Sequence, residues 1–349
     1  MNIINVITDK NNNKNYNIYI DDNLLDSIEN LIDFPNKTLI ITDSNIPSEY
    51  YEKIVIKAKY SYVYKITPGE NSKTFDSYLK IMNLLIDNTF SRKDLVIALG
   101  GGVVGDLAGF VASTYKRGID FINIPTSTLS MIDSSIGGKV AINVNDIKNI
   151  VGSFYMPKKV IISLDTLNSL PRRQYYNGLI EALKAGLIYD ESLYQMFING
   201  FEKLEEREYL REIILKSVNI KKDVVEKDPY EKGLRKILNF GHTIGHVIES
   251  ENFDKIYHGE AVLIGMMYFC SEEILKELKC FYNKLNIINN NVFNNIKLDI
   301  DNGIKLLAND KKASGEYVDV VCVEKVGSHV VRKVLLSKLE EKLKEKVYE

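Results

Sequence analysis

Residues 95–112 read LVIALGGGVVGDLAGFVA. An apolar run suited to a strand, three glycines and an apolar run suited to a helix follow one another without a break. That order is the repeating unit of a parallel sheet covered by helices. Glycines let backbone N–H groups come close to a phosphate, and a helix N-terminus adds partial positive charge. The run matches neither GxGxxG nor GxxxxGK[ST], so neither standard nucleotide fingerprint applies. Such a turn also occurs for structural reasons alone. Asp106, in the first helical turn, is placed either to cap the helix or to contact a ribose.

Working outward, the first half alternates short β-rich runs with helical patterns. Strands are expected at 16–20, 38–42, 61–67, 94–99, 121–125 and 160–163, and a helix over 74–90. Beyond about residue 168 the segments YNGLIEALKAGLIYDESLYQMFING and LEEREYLREIILKSVNIKKDVVEKD are long and helically periodic. The reading is an α/β Rossmann-like domain over 1–168 and a mostly α-helical domain over 169–349, with the boundary at 164–170. Ligands of such sheets gather at the carboxyl ends of the strands.

The 349 residues are enough for two domains, and 45% hydrophobic with 26% charged residues is ordinary for a soluble globular chain. A net charge of −2 gives no reason to expect a nucleic-acid partner. The polar start, MNIINVITDKNNNKNYNIYI, has no apolar core of a signal peptide, and no run is long enough to span a bilayer. Cys270, Cys280 and Cys322 are odd in number and lack CxxC spacing, so they read as reduced thiols of a cytoplasmic protein.

Four histidines occur in the chain, and three of them (His242, His246, His258) fall within residues 238–260, LNFGHTIGHVIESENFDKIYHGE. His242 and His246, four apart, share a helical face. Neutral imidazole is a common zinc ligand, and catalytic zinc takes three protein ligands. Two surface histidines and an unrelated third would give the same spacing. GLIEALKAG places Glu181 and Lys184 three apart on one face, as a simple ion pair or as the source of an anionic ligand completing a His2Glu site. GLRKILNFGH sets Arg235, Asn239 and His242 at spacings of four and three, which on a helix gives one face. PGENSK offers Glu70 for sugar hydroxyls and Lys73 for a phosphate, or simply a turn. IPTSTLSMIDSSIGGKVAINVNDIKN carries Asp133, Lys139, Lys148 and Asn149 beside Gly–Gly, a set of donors suited to an oxyanion. NDKKASGEY adds Lys311 and Lys312, a pair that elsewhere is usually just solvated.

Taken in order, GGGVVGD, RGIDFINIPTSTLSMIDSSIGGK, IKN, LPRRQYYNGLIEALK, LRKILNFGHTIGH and HGEAV resemble the 3-dehydroquinate synthase family over nearly the whole chain. Departures are small: Ser127 stands where a second threonine is common, Pro229 where Glu is frequent and Lys222 where Ala is usual. The resemblance implies conversion of 3-deoxy-D-arabino-heptulosonate 7-phosphate to 3-dehydroquinate and phosphate, with NAD as a recycled cofactor. It implies Zn2+, or equally Co2+, on Glu181, His242 and His258. His246 then serves proton transfer or contacts a hydroxyl.

By the same resemblance, NAD is contacted by Asp43, Asn45, Glu70, Lys73, Gly102, Val103, Val104, Gly105, Asp106, Thr126, Ser127, Lys139 and Lys148. The turn carrying Thr166, Leu167 and Ser169 closes over it. Asp133, Lys184, Lys221 and Asn239 join His246 in catalysis. Lys139, Asn149, Arg235 and Lys312 bind substrate, and Arg117 matches an arginine that reaches a neighbour's site across a homodimer interface.

Overall fold

A computed structural model describes the chain apart from residues 10–13, 146, 254, 311–316 and 349. The chain forms two compact units, Met1–Pro171 with Lys221–Tyr230, and Arg172–Ile220 with Glu231–Glu349.

The first unit holds β1 (Asn2–Asp9), β2 (Lys14–Asp21), β3 (Lys37–Asp43), α1 (Ser48–Val55), β4 (Tyr60–Ile66), α2 (Phe75–Asp87), β5 (Leu95–Gly100), α3 (Gly102–Thr114), β6 (Asp120–Pro125), β7 (Lys139–Val144), β8 (Ile147–Phe154) and β9 (Lys159–Ser163). Seven strands form one sheet in the order β1-β2-β9-β6-β5-β3-β4, and β7 with β8 forms a separate antiparallel pair. Only β1 runs antiparallel to its neighbour in the large sheet. All six strands expected from the sequence lie in it. The unexpected one, β1, is masked in the sequence by Asn2 and Asn5, although Ile4 and Val6, two apart on one face, are buried in the core.

Both sheet faces are covered, which is why the parallel strands read as unbroken apolar runs. Leu39, Ile41, Val96 and Ala98 pack with Ile81 and Leu85 of α2 and with α3. Their neighbours Ile40, Leu95, Ile97 and Leu99 point the other way, onto Tyr50 and Ile54 of α1. Thr74 caps α2 by accepting the Ser77 N–H at 3.2 Å. From β3 the chain goes outward to β4 and then returns to the other side of β3 as β5. The carboxyl ends of β3 and β5 therefore flank a topological switch point, where such sheets bind ligands.

The second unit is built from α4 (Arg172–Tyr189), α5 (Glu191–Ile198), α6 (Arg207–Lys227), α7 (His242–Glu251), α8 (His258–Met267), α9 (Glu272–Ile288), α10 (Ile300–Asp310) and α11 (Leu336–Lys344), with one antiparallel hairpin of β10 (Tyr317–Cys322) and β11 (Val330–Leu335). The last turns of α6, from Lys221, belong to the first unit. Among the described residues no helix is long and apolar enough to cross a membrane.

Two glycines set the spacing of the helices that matter most. A Cβ on Gly265 of α8 would lie 1.9 Å from the carbonyl oxygen of Gly241 and 2.8 Å from the amide nitrogen of Gly245 in α7. A Cβ on Gly259 would lie 2.1 Å from the Asn177 carbonyl oxygen of α4. Backbone meets backbone at both seams, so α8 sits closer to α4 and α7 than any side chain would permit.

Candidate active site

The closeness of α4, α7 and α8 brings three ligand-type side chains together. Asn177 accepts the Gly259 N–H at 2.6 Å and so satisfies a donor at the start of α8. Glu181, one turn along α4, faces the same helix end. Its Oε1 lies 3.9 Å from His242 Nε2 and 3.7 Å from His258 Nε2. That oxygen is buried and has no hydrogen-bond partner. Its other oxygen accepts from Lys184. The first residue of α8, His258, is fixed further by Glu260, which takes the Tyr257 N–H at 2.9 Å and the Arg173 guanidinium at 2.8 and 2.7 Å.

The tautomers follow from the second ring nitrogens. His242 Nδ1 donates to the Phe240 carbonyl at 3.1 Å, and His258 Nδ1 donates to Glu249 at 2.9 Å. Both Nε2 lone pairs are thereby directed at the Glu181 oxygen, the arrangement that outer hydrogen bonds give to metal-binding histidines. Burial first, then the charges of Lys184 and the neighbouring imidazoles, holds the His242 pKa well below the usual histidine range. Burial opposes protonation of His258, but the Glu249 hydrogen bond and the Glu181 charge outweigh it and raise the pKa. The orphaned carboxylate oxygen facing two imidazole nitrogens fits a divalent cation such as Zn2+. His246 is exposed, its ring 5.2 Å from His242 and 5.9 Å from His258, centroid to centroid.

The first unit gathers a second cluster. Lys73, 2% exposed, follows the turn after β4 and donates to Asp106 Oδ2 at 2.8 Å and to Asn149. Glu70 lies 3.4 Å from the same ammonium. Burial pushes the Asp106 pKa up to about 6, against the pull of Lys73. Asp133 and Lys221 form a further ion pair.

Residues 63–177 match the family described as 3-dehydroquinate synthase N-terminal, and residues 178–313 match 3-dehydroquinate synthase C-terminal. The chain belongs to the 3-dehydroquinate synthase family. The 3-dehydroquinate synthase of Alkaliphilus metalliredigens is 36% identical over 92% of this chain and 93% of its own. That of Thermoanaerobacter pseudethanolicus is 48% identical over 67% of this chain and 68% of its own. Among solved structures, 2-deoxy-scyllo-inosose synthase with carbaglucose-6-phosphate, NAD+ and Co2+ superposes with a TM-score of 0.87 at 25% identity, covering 99% of both chains. The sequence-derived fold class and reaction are those of the 3-dehydroquinate synthase family.

Within this family member, most of the residues expected to contact NAD lie at the carboxyl ends of parallel strands, whereas Lys139 and Lys148 lie on the antiparallel β7–β8 pair. Asp43, at the end of β3, accepts the Asn45 N–H at 2.8 Å, and burial raises its pKa although that bond and the Ile46 N–H oppose the shift. Gly102, Val103, Val104, Gly105 and Asp106 open α3 after β5. Thr126 and Ser127 follow β6, where the Thr126 N–H bonds to the Gly100 carbonyl at 3.0 Å. The turn after β9 buries Thr166 and Leu167 and leaves Ser169 exposed. Lys139 and Lys148 are exposed on β7 and β8.

Arg117 is apart from these. It is exposed, with φ +64°, in the turn between α3 and β6, at the amino edge of the sheet. Lys312 lies outside the described residues. One expectation is corrected. Arg235, Asn239 and His242 do not share a helical face, because a short 3-10 turn over Leu234–Asn239 ends at Phe240 and α7 starts afresh after Gly241, φ +77°. Arg235 is buried and Asn239 exposed. Glu249 escaped the sequence reading; its only signal was a place seven residues after His242, on the face of α7 that carries the histidines.

Proposed function

We infer that this chain converts 3-deoxy-D-arabino-heptulosonate 7-phosphate into 3-dehydroquinate and phosphate. Family membership supports the reaction. The observation that carries its chemistry is the buried, unbonded Glu181 oxygen facing His242 and His258. These three residues would hold Zn2+ or Co2+, which as a Lewis acid makes the bound sugar hydroxyls more acidic. NAD, held by the loops of the first unit, supplies a hydride acceptor that is restored within each turnover.

The chain's own groups do the rest. His246, exposed beside His258, exchanges protons with a substrate hydroxyl and with water. Lys184 neutralises the second oxygen of Glu181 and keeps it oriented. Arg235 and Lys221 give the substrate carboxylate cationic partners, a role that a sugar phosphate lacking that group would leave unused. Asp133 sets the Lys221 ammonium, and Asn239 contacts the substrate ring. By the family resemblance Lys139, Asn149 and Lys312 bind the substrate, and Arg117 of a neighbouring copy meets its phosphate. Once C5 is a ketone, the C6 proton is acidic and phosphate leaves by β-elimination, itself able to act as the base. After re-reduction the ring opens and closes by an intramolecular aldol step, for which the site need only hold the right conformer. The position of Arg117, at the sheet edge opposite the cofactor loops, supports a homodimer. The free-thiol cysteines support a cytoplasmic location.

Purified protein given NAD and the heptulosonate phosphate should release phosphate without accumulating NADH, and a chelator should stop the release. Steady NADH production, as from a polyol dehydrogenase, would overturn the reading.

A further inference from the structure

Strands β7 and β8 pair unevenly. Ile142 stands opposite Val151 and Val144 opposite Ile147, so Asn143 alone faces Lys148, Asn149 and Ile150. The excess forms a bulge. Within it Asn149 has φ +56°, a left-handed conformation open to asparagine, and a neighbouring side chain holds its main chain there.

Asn143 supplies the hold. Its Oδ1 accepts the Asn149 N–H at 2.8 Å, and its Nδ2 donates to Glu70 Oε1 at 2.8 Å. A carboxylate can only accept and a backbone N–H can only donate, so these partners fix which way the amide points. The Asn143 N–H, outside the ladder, donates to the Lys73 carbonyl at 2.7 Å. The buried Lys73 ammonium closes the ring of contacts by donating to the Asn149 side chain.

We propose that Asn143 is a positioning residue that holds Glu70, on the cofactor side, and Asn149, on the substrate side, in one register about Lys73. The inference rests on the assignment of those two residues under the proposed function. It places cofactor and substrate affinity under the control of one amide that touches neither ligand.

Two substitutions separate the branches. Asn143→Ala removes both side-chain bonds. Asn143→Asp keeps the acceptor for Asn149 but replaces the donor to Glu70 with a second carboxylate. Asn143→Ala should raise both the NAD Kd, measured calorimetrically without substrate, and the KM at saturating NAD by about tenfold. Asn143→Asp should raise the NAD Kd by about tenfold and leave KM within about twofold of the parent. Alanine leaving both constants unchanged, or aspartate moving KM as far as Kd, would overturn the proposal. If the alanine variant does not fold, the aspartate split decides. A parent protein that fails to bind NAD removes the functional reading, whereas a parent that binds NAD beside unchanged variants removes this inference alone.

Discussion

In the helical unit a carboxylate oxygen is buried with no hydrogen bond while two imidazole nitrogens face it; in the α/β unit Lys73 and Lys221 each already meet a carboxylate. The first arrangement costs folding energy, because an unsatisfied buried acceptor forfeits its hydration, on the order of 1–3 kcal/mol or more for a charged group. It persists because Asn177, Glu260 and the two glycine seams fix the helix ends independently of it. The second arrangement is balanced within itself. A metal entering the first relieves a standing penalty, whereas an anionic ligand entering the second must displace partners from its cations.

The largest effect should come from breaking the unbalanced cluster. Glu181→Gln should abolish stoichiometric zinc and lower kcat on the order of 10^3-fold, since metal polarisation is worth several kcal/mol. Zinc should raise the Tm of the parent and not of this variant, because only a ligand bound to the native state stabilises it. Metal analysis and thermal scans read both. His246→Ala should retain the metal and lose about 10^2-fold in kcat, the usual worth of a general acid–base group. Loss of the metal there would move His246 into the ligand set.

The smallest effect probes the balanced cluster. The folded pKa of Asp106 lies above its unfolded value, at about 6 against 3.8, so the native state binds the extra proton. Its contribution is therefore most favourable below about pH 4 and is lost as pH rises through about 6. Asp106→Asn should remove this term, so urea unfolding at a series of pH values should show the variant gaining on the parent between pH 4 and 7.

Much of the fold was legible because buried parallel strands write themselves as apolar runs, as Leu95–Gly100 does. Strand β8 was not, since nearly all of IKNIVGSF is exposed and gives no burial pattern. The histidines were legible by spacing, because α7 carries two of them in regular turns. The shared face of Arg235, Asn239 and His242 was misread because a glycine in the left-handed region restarts the helix between them. Asn143 gave no signal: its part depends on strand register, which no local pattern encodes.

The seam between α7 and α8 means that the metal-binding geometry is written partly in residues with nothing beyond the main chain. A single methyl at position 265 would lever α8 outward and carry His258 away from Glu181. Anyone redesigning this protein must treat that bare position as protected territory, no less than the imidazoles themselves.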